Sequence, residues 1–204
     1  MAPAPLESAR DFGSRGRLYR AMTPGRGGPA RRAKAEGGRP TDRSGQTRPG
    51  GVRVREIVSG GQTGADRAAL DWAIARGLRH GGWCPKGRRA EDGAIPRRYR
   101  LRETPSSVYV QRTEWNVRDS DATVIMSVSP TLTGGSRKTA EFAARHRRPW
   151  LHVSAAASAG RAGGELRSFL SEHRVAVLNV AGPRASVEPG IGDFVRATLD
   201  QAFA

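Results

Sequence analysis

The chain of 204 residues has few cysteines, acidic residues and aromatic residues, and it has no long apolar run. Its one cysteine, Cys84, excludes an internal disulfide framework and any zinc or iron–sulfur site built from several cysteines. The longest apolar stretches are far shorter than the roughly 20 residues that cross a bilayer, which excludes a membrane-spanning helix. These absences predict a soluble, cytoplasmic protein.

Large apolar residues are missing altogether from residues 23–51, where glycine, proline and arginine dominate. Such a segment cannot bury enough apolar surface to offset the entropy of ordering it. We therefore predict a disordered basic tail over residues 1–54 and a folded domain over residues 55–204. Residues 1–55 carry 13 Lys and Arg against 4 acidic residues, so most of the net charge of +16 belongs to the tail.

Three interpretations of this tail are open. It could contact nucleic acid by neutralising phosphates, but aromatic residues are not interleaved with its arginines, so nucleic acid is not the partner we expect. It could be an arginine-rich presequence, which its glycine and proline content opposes. It could also be an unselected N-terminus that precedes a later start, at Met22 or at a codon beyond it.

From Arg55 onward, short apolar runs alternate with stretches of helical spacing. The runs that predict strands are residues 57–58, 80–84, 123–128, 150–153 and 175–180, and the helical stretches are residues 64–77, 136–147, 162–173 and 190–203. Strands that alternate with helices of about 10–15 residues are typical of βαβ units. The sequence therefore predicts an α/β fold with a mostly parallel sheet of about five strands and helices on both faces.

Polar loops follow these strands at the edge of the sheet where such folds bind ligands. The candidate ligand-binding residues in them are Gly60, Gly61, Gln62, Thr63, Gly64, Lys86, Thr133, Gly134, Gly135, Ser136, Thr139, Glu141, Asn179 and Arg184. Adjacent glycines before a helix let backbone N–H groups approach an anion such as phosphate. The glycine spacing is neither that of an ATPase P-loop nor that of an ordinary NAD enzyme. The loops predict a site for a phosphorylated, nucleotide-like small molecule.

Two acidic residues of the first predicted helix have a structural alternative to ligand binding. Asp66 lies three residues after Thr63, which resembles a capping box, and Arg67 precedes Asp71 by one helical turn, which favours a surface ion pair. On this interpretation Asp66 only caps its helix.

Charged residues beside the third strand are also open to two interpretations. Arg137 and Lys138, in the first turn of a helix, oppose the helix dipole unless an anion is bound there or their side chains point into solvent. Asp119 and Asp121 precede the strand, so we expect them to cap it at the opposite edge. The four histidines show no spacing typical of a metal site, and we predict none.

Six motifs, in chain order, match a known family: IVSGGQTGADRAALDWAI, GGWCPKGRRAEDGAIP, YRLRETPSS, RTEWNVRDSDATVI, LTGGSRKTAEFA and VLNVAGPR. They resemble the molybdenum cofactor carrier family, which is related to circularly permuted YpsA-like proteins. The resemblance spans residues 56–203. It implies a Rossmann-like three-layer sandwich, a homo-oligomer, and the molybdenum cofactor (molybdopterin) or a nucleotide-like relative as the carried ligand, whose own dithiolene sulfurs hold the metal.

The wider superfamily implied by this resemblance includes the LOG-type phosphoribohydrolases and the DprA proteins. In LOG enzymes a Pro-Gly-Gly loop followed by Thr and Glu holds phosphate and ribose, and Gly134, Gly135, Thr139 and Glu141 look like its counterparts, with Thr133 in place of the proline. The resemblance implies a carrier or sensor without catalysis. The alternative is a LOG-like phosphoribohydrolase that cleaves nucleoside monophosphates with Glu141 as its acid.

Overall fold

The computed structural model describes residues 52–204, in which short strands alternate with helices. The elements are β1 (Glu56–Val58), α1 (Ala65–Ala75), β2 (Arg79–Gly81), β3 (Trp83–Cys84), β4 (Arg89–Ala90), β5 (Gly93–Ala94), β6 (Arg102–Glu103), α2 (Tyr109–Arg118), β7 (Ala122–Ser127), α3 (Gly134–Arg145), β8 (Trp150–Ser154), α4 (Ala155–Ser158), α5 (Ala162–Glu172), β9 (Val177–Ala181) and α6 (Ile191–Phe203). Within this range no helix is both long and apolar enough to cross a bilayer. Residues 1–51 of the predicted tail lie outside the described residues, and Val54 is buried in the core.

Five strands form one parallel sheet in the order β2-β1-β9-β7-β8. β9 lies in the centre, where Val177 pairs with Glu56 of β1 and Leu178 pairs with Ala122 of β7. All six residues of β7 are buried, as expected for a parallel strand covered on both faces. The predicted α/β fold with a five-stranded parallel sheet is confirmed.

Helices cover both faces of the sheet and make three layers. α1, α5 and α6 pack together on one face, where Leu166 and Leu199 are fully buried against the strands. α2 and α3 pack together on the other face, where Val117 and Phe142 share a smaller apolar cluster. This arrangement is the Rossmann-like three-layer sandwich that the family resemblance implies.

The prediction of a single strand over residues 80–84 is wrong, because the chain leaves the sheet at Gly82. Gly82 has φ 123°, and a Cβ there would lie 2.3 Å from the carbonyl oxygen of Ser59. The residues that follow form β3, which pairs with β6 in a separate two-stranded sheet, while β4 and β5 form a hairpin. These strands and their connections, residues 83–103, form a small lobe. It lies beside the first glycine loop, residues 60–64, where Gly61 approaches Leu101 and Ile95.

Candidate functional site

A small cleft opens at the carboxyl edge of the sheet, between the ends of β1 and β9 and the helices α2 and α3. Its lining consists of Gly60, Asp66, Arg112, Thr113, Asn116, Gly135, Thr139, Asn179, Val180, Ala181 and Gly182. The cleft has a volume of about 60 Å³, which suits a few waters or one oxyanion rather than a whole nucleotide. Four of the predicted site residues meet here: Gly60, Gly135, Thr139 and Asn179.

The centre of the cleft is an ion pair between Asp66 and Arg112. Arg112 Nη1 lies 2.8 Å from Asp66 Oδ2, and the two side chains are only 15% and 6% exposed. The guanidinium passes directly over Gly60, where a Cβ would lie 1.3 Å from Arg112 Nη1. Gly60 is therefore needed for the protein's own arginine to enter the cleft.

One hydrogen-bond donor of the Arg112 side chain has no acceptor among residues 52–204. This donor is Nε, which is buried. A buried donor without an acceptor costs about 1–3 kcal/mol, and a buried ion pair does not by itself stabilise a fold strongly. An oxyanion that accepts a hydrogen bond from this Nε would remove that cost.

Asp66 also closes the first glycine loop. Its Oδ2 accepts the backbone N–H of Gln62 at 3.2 Å, whereas α1 begins after Gly64 without a side-chain cap from any described residue. The capping box with Thr63 is therefore not formed. Asp66 both orders the loop and holds Arg112, and neither of the two sequence interpretations described that combination.

The N-terminus of α3 forms the opposite wall. Gly134 has φ 48°, and a Cβ at Gly134 or Gly135 would meet no atom of the described chain within 4 Å. In the part of the chain that the structure describes, no side chain caps this helix. Open space and uncapped N–H groups at the positive end of a helix suit an anion.

The polar floor of the cleft is fixed by hydrogen bonds inside the protein. Asn179, 2% exposed, donates from Nδ2 to Thr123 Oγ1 at 3.2 Å. Thr139 Oγ1 donates to the carbonyl of Gly135 at 2.9 Å. These bonds orient the side chains but leave the Asn179 Oδ1 acceptor free of any partner within the described residues.

The rest of the first glycine loop contacts protein rather than open space. A Cβ at Gly61, which has φ 77°, would lie 2.5 Å from Leu101 Cδ1. A Cβ at Gly64 would lie 2.6 Å from the backbone nitrogen of Ala185. These two glycines permit close packing of the loop against the small lobe and against the segment that follows β9.

Glu91, in the turn of the β4–β5 hairpin, binds the same loop. Its carboxylate accepts hydrogen bonds from the hydroxyls of Thr63 and Ser186 and lies 3.5 Å from Arg184 Nε. These hydroxyls, above all that of Ser186, hold the pKa of Glu91 below its usual range. Gln62 Oε1 accepts the Glu91 backbone N–H at 3.0 Å, so the predicted residues Gln62, Thr63 and Arg184 meet here, outside the cleft lining.

Arg67 and Asp71 do not pair with each other, so that expectation is wrong. Arg67 Nη2 donates to Asp92 Oδ1 at 2.7 Å, which lowers the pKa of Asp92. Asp71 instead lies 3.1 Å from Arg98 and accepts from the buried Tyr99 hydroxyl at 2.9 Å. Both acidic residues thus fasten the small lobe to α1.

The remaining predicted residues lie apart from the cleft lining. Lys86 is exposed on the small lobe, and Thr133 is exposed before α3. Ser136 is buried in the first turn of that helix. Their contact with a ligand stays a prediction.

Glu141 lies on the exposed side of α3. Lys138 Nζ donates to its carboxylate at 2.8 Å and Arg137 Nε lies 3.7 Å away, and the Lys138 hydrogen bond in particular lowers the Glu141 pKa. A carboxylate held in its charged form is poorly suited to donate a proton at neutral pH. The two cations of the first turn are therefore partners of Glu141 here.

A second carboxylate occupies the end of β7. Glu188 accepts the backbone N–H groups of Val128 and Ser129, the latter at 3.4 Å. Close by, His152 Nε2 lies 2.7 Å from Ser127 Oγ, and burial lowers the His152 pKa. No sequence motif indicated this arrangement.

Asp119 and Asp121 lie at the amino edge, as expected. Asp121 Oδ2 accepts the backbone N–H groups of Ala176 and Val177 at 3.0 and 2.8 Å. Asp119 accepts from Trp83 Nε1 at 2.8 Å. Residues 52–204 contain no cluster of three or more His, Cys, Asp or Glu side chains that could hold a metal ion.

Sequence reasoning missed the whole α2 wall of the cleft. Arg112, Thr113 and Asn116 share one helical face, because residues three and four positions apart are neighbours on a helix. That spacing of polar residues in RTEWNVR was the available signal, but without an apolar stripe it does not predict a helix.

Comparisons with known proteins agree with this architecture. A family model described as "Circularly permutated YpsA SLOG family" matches residues 57–203. The chain is similar to the crystal structure, at 1.45 Å resolution, of "Putative molybdenum carrier protein" from Syntrophus aciditrophicus SB. The two are 45% identical with a TM-score of 0.73, and the match covers 76% of this chain and 98% of that chain. Among curated proteins no match was found. The chain belongs to the circularly permuted YpsA SLOG family.

Proposed function

We propose that this protein binds the anionic group of a phosphorylated, nucleotide-like small molecule in the cleft and carries or senses that molecule without transforming it. The observation that carries the proposal is the Arg112 guanidinium, whose Nε has no hydrogen-bond partner among residues 52–204. It lines the same cleft at the carboxyl edge of the sheet as the N-terminus of α3, which no described side chain caps. The Arg112 side chain and the N-terminus of α3 are both positive, and Asp66 already neutralises part of the charge of Arg112. A bound oxyanion would accept hydrogen bonds from Arg112 and from the N–H groups at the start of α3.

The molybdenum cofactor is the first candidate, because a protein 45% identical to this chain is named "Putative molybdenum carrier protein". Its phosphate end suits Arg112 and the Gly135 N-terminus, whereas the described residues offer no metal-ligating cluster. The metal would remain on the ligand's own sulfurs. At about 60 Å³ the cleft receives only the anionic end, so the rest of the molecule lies across the rim.

Hydrolysis is the weaker candidate. Asp66 is the one carboxylate that lines the cleft in residues 52–204, and it is committed to Arg112 and to Gln62. Glu141, the acid of the phosphoribohydrolase alternative, is paired with Lys138 outside the lining. This arrangement supports binding over cleavage of a glycosidic bond. We include in the proposal a homo-oligomeric state, which the family resemblance implies, and a cytoplasmic location, which the sequence predicts.

Native mass spectrometry of the protein purified from its own host tests the proposal first, because a bound phosphorylated molecule adds a defined mass. Calorimetry with AMP as a probe then compares the wild type with Arg112→Gln and with Arg145→Gln, a matched control. Arg145 is on α3 but pairs with Glu114 outside the cleft. We expect at least a tenfold loss of AMP affinity for Arg112→Gln only.

Equal affinity in all three proteins, or release of free base from AMP by the wild type, would overturn the proposal. Arg112→Gln leaves Asp66 buried without its cation, so circular dichroism must first show that the variant folds. If it does not, Arg112→Lys serves instead. Lysine keeps the charge but cannot offer two parallel donors to an oxyanion, so we still expect weaker binding.

A further inference from the structure

An exposed tyrosine stands at the start of α2. Tyr109 is 41% exposed, and its neighbours Val108 and Val110 are also exposed. Large apolar side chains at a surface require an explanation when they adjoin a binding cleft.

Helix geometry connects this ring to the cleft. Tyr109, Arg112, Thr113 and Asn116 are spaced i, i+3, i+4 and i+7, so they form one stripe along α2, and the last three line the cleft. The Arg112 guanidinium carbon lies 5.8 Å from the centre of the Tyr109 ring. Thr113 Oγ1 donates to the Tyr109 carbonyl at 3.1 Å, which fixes this turn of the helix.

The direction of α2 places Tyr109 at the mouth of the cleft. The last residues of α2 lead into the amino end of β7, so the first residues of α2 lie towards the carboxyl edge of the sheet, where the cleft opens. Along the stripe, Asn116 is nearly fully buried, Arg112 is in the middle and Tyr109 is outermost. A ligand whose anionic group binds Arg112 therefore has the Tyr109 ring within reach.

We infer that Tyr109 is the stacking platform for a planar heterocycle of the ligand, an inference that rests on the proposed function. The cleft itself, about 60 Å³, has no room for such a ring once an oxyanion is present, so the heterocycle lies at the rim. Tyrosine binds aromatic rings through its face with little loss of conformational freedom. Tyr109 thus selects ligands that carry a base or pterin over ligands that carry phosphate alone.

Two probes separate this role from anion binding: AMP, which has a base, and ribose 5-phosphate, which has none. Calorimetry compares the wild type with Tyr109→Ala, with Tyr109→Phe, which keeps the ring, and with Val110→Ala as a neighbouring control. We expect the wild type and Tyr109→Phe to prefer AMP by about tenfold, the order of one stacked base. Tyr109→Ala loses this preference while its affinity for ribose 5-phosphate is unchanged.

Three results would overturn the inference and leave the proposed function intact: a wild type that binds both probes equally, a Tyr109→Ala variant that still prefers AMP, or a variant that loses both probes alike. Sedimentation of Tyr109→Ala is measured in parallel. A changed oligomeric state would assign the exposed patch to an interface between copies of the chain and would also overturn the inference. If the wild type binds neither probe, the proposed function itself fails.

Discussion

The side-chain amide of Asn116 holds both backbone groups of Trp83. Asn116 Oδ1 accepts the Trp83 N–H at 2.7 Å, and Asn116 Nδ2 donates to the Trp83 carbonyl at 3.0 Å. The amide therefore replaces the strand neighbour that β3 loses when the chain leaves the main sheet at Gly82. Through this contact α2, which carries Arg112, is positioned by the small lobe.

We expect Asn116→Ala to lower the free energy of unfolding by about 1–3 kcal/mol, because two partly buried backbone groups of Trp83 lose their partner. Urea denaturation followed by tryptophan fluorescence measures this loss. Thr113→Ala is the control on the same face of α2, since its hydroxyl bonds only to the carbonyl of Tyr109 among the described residues. Equal stability of the two variants would mean that the Asn116–Trp83 contact contributes little.

The two glycine loops predict opposite results for the same substitution. Gly61→Val forces a side chain into Leu101 at φ 77°, so we expect a loss of several kcal/mol in stability. A Cβ at Gly135 meets no described atom outside its own helical turn within 4 Å, so we expect the melting temperature of Gly135→Val to match that of the wild type while AMP binding falls. Thermal melts and calorimetry on both variants check this pair. A stable Gly61→Val protein would contradict the packing role of Gly61.

Acid should loosen the β4–β5 hairpin from the first glycine loop. The pKa values of Glu91 and Asp92 are lowered in the folded protein by hydrogen bonds to Ser186 and Arg67. The unfolded chain therefore takes up these protons first, so their stabilisation is complete above the ordinary values of 4.5 and 3.8 and is lost as the pH falls below them.

Urea midpoints measured from pH 7 to pH 3 test this pH dependence. Replacing the hairpin carboxylate, Glu91→Gln, should flatten the acid limb of the curve, whereas Glu172→Gln, at the exposed end of α5, should follow the wild type. A Glu91→Gln curve parallel to that of the wild type would exclude a contribution of the Glu91 carboxylate to the pH dependence of stability.

Glu141→Gln should leave AMP binding within about twofold of the wild type. Its carboxylate pairs with Lys138 on the exposed side of α3 and is not part of the cleft lining. Calorimetry measures the affinity, and an assay for released adenine checks turnover. A large loss of binding, or turnover that disappears in the variant, would return Glu141 to the role that the family resemblance implies.

The sequence was sufficient for the sheet and for four of the helices, because buried parallel strands are near-continuous apolar runs and each helix α1, α3, α5 and α6 has an apolar face. α2 was not predictable in this way. It starts after Val108 without a side-chain cap from the described chain, and only Asn116 and Val117 are buried in it. Arg112 was therefore missed.

The sequence also did not predict the ion-pair partners of charged residues. Local spacing pairs Arg67 with Asp71, but Asp92 comes from a hairpin 25 residues away and binds the guanidinium with two oxygens. A two-oxygen contact to arginine is favoured over a single surface pair, and only the fold reveals that it is within reach. For the same reason the sequence could not show that the Arg112 guanidinium occupies the space beside Gly60.

The strand order also governs how the chain can be assembled. β9 is the last of the five strands in chain order, yet it separates β1 from β7 and pairs with both. During synthesis, the β1–β2 half and the β7–β8 half emerge first, and neither can complete its hydrogen bonds until residues 177–181 arrive. The central edges of both halves stay open until then, which makes an unfinished chain a template for non-native strand pairing.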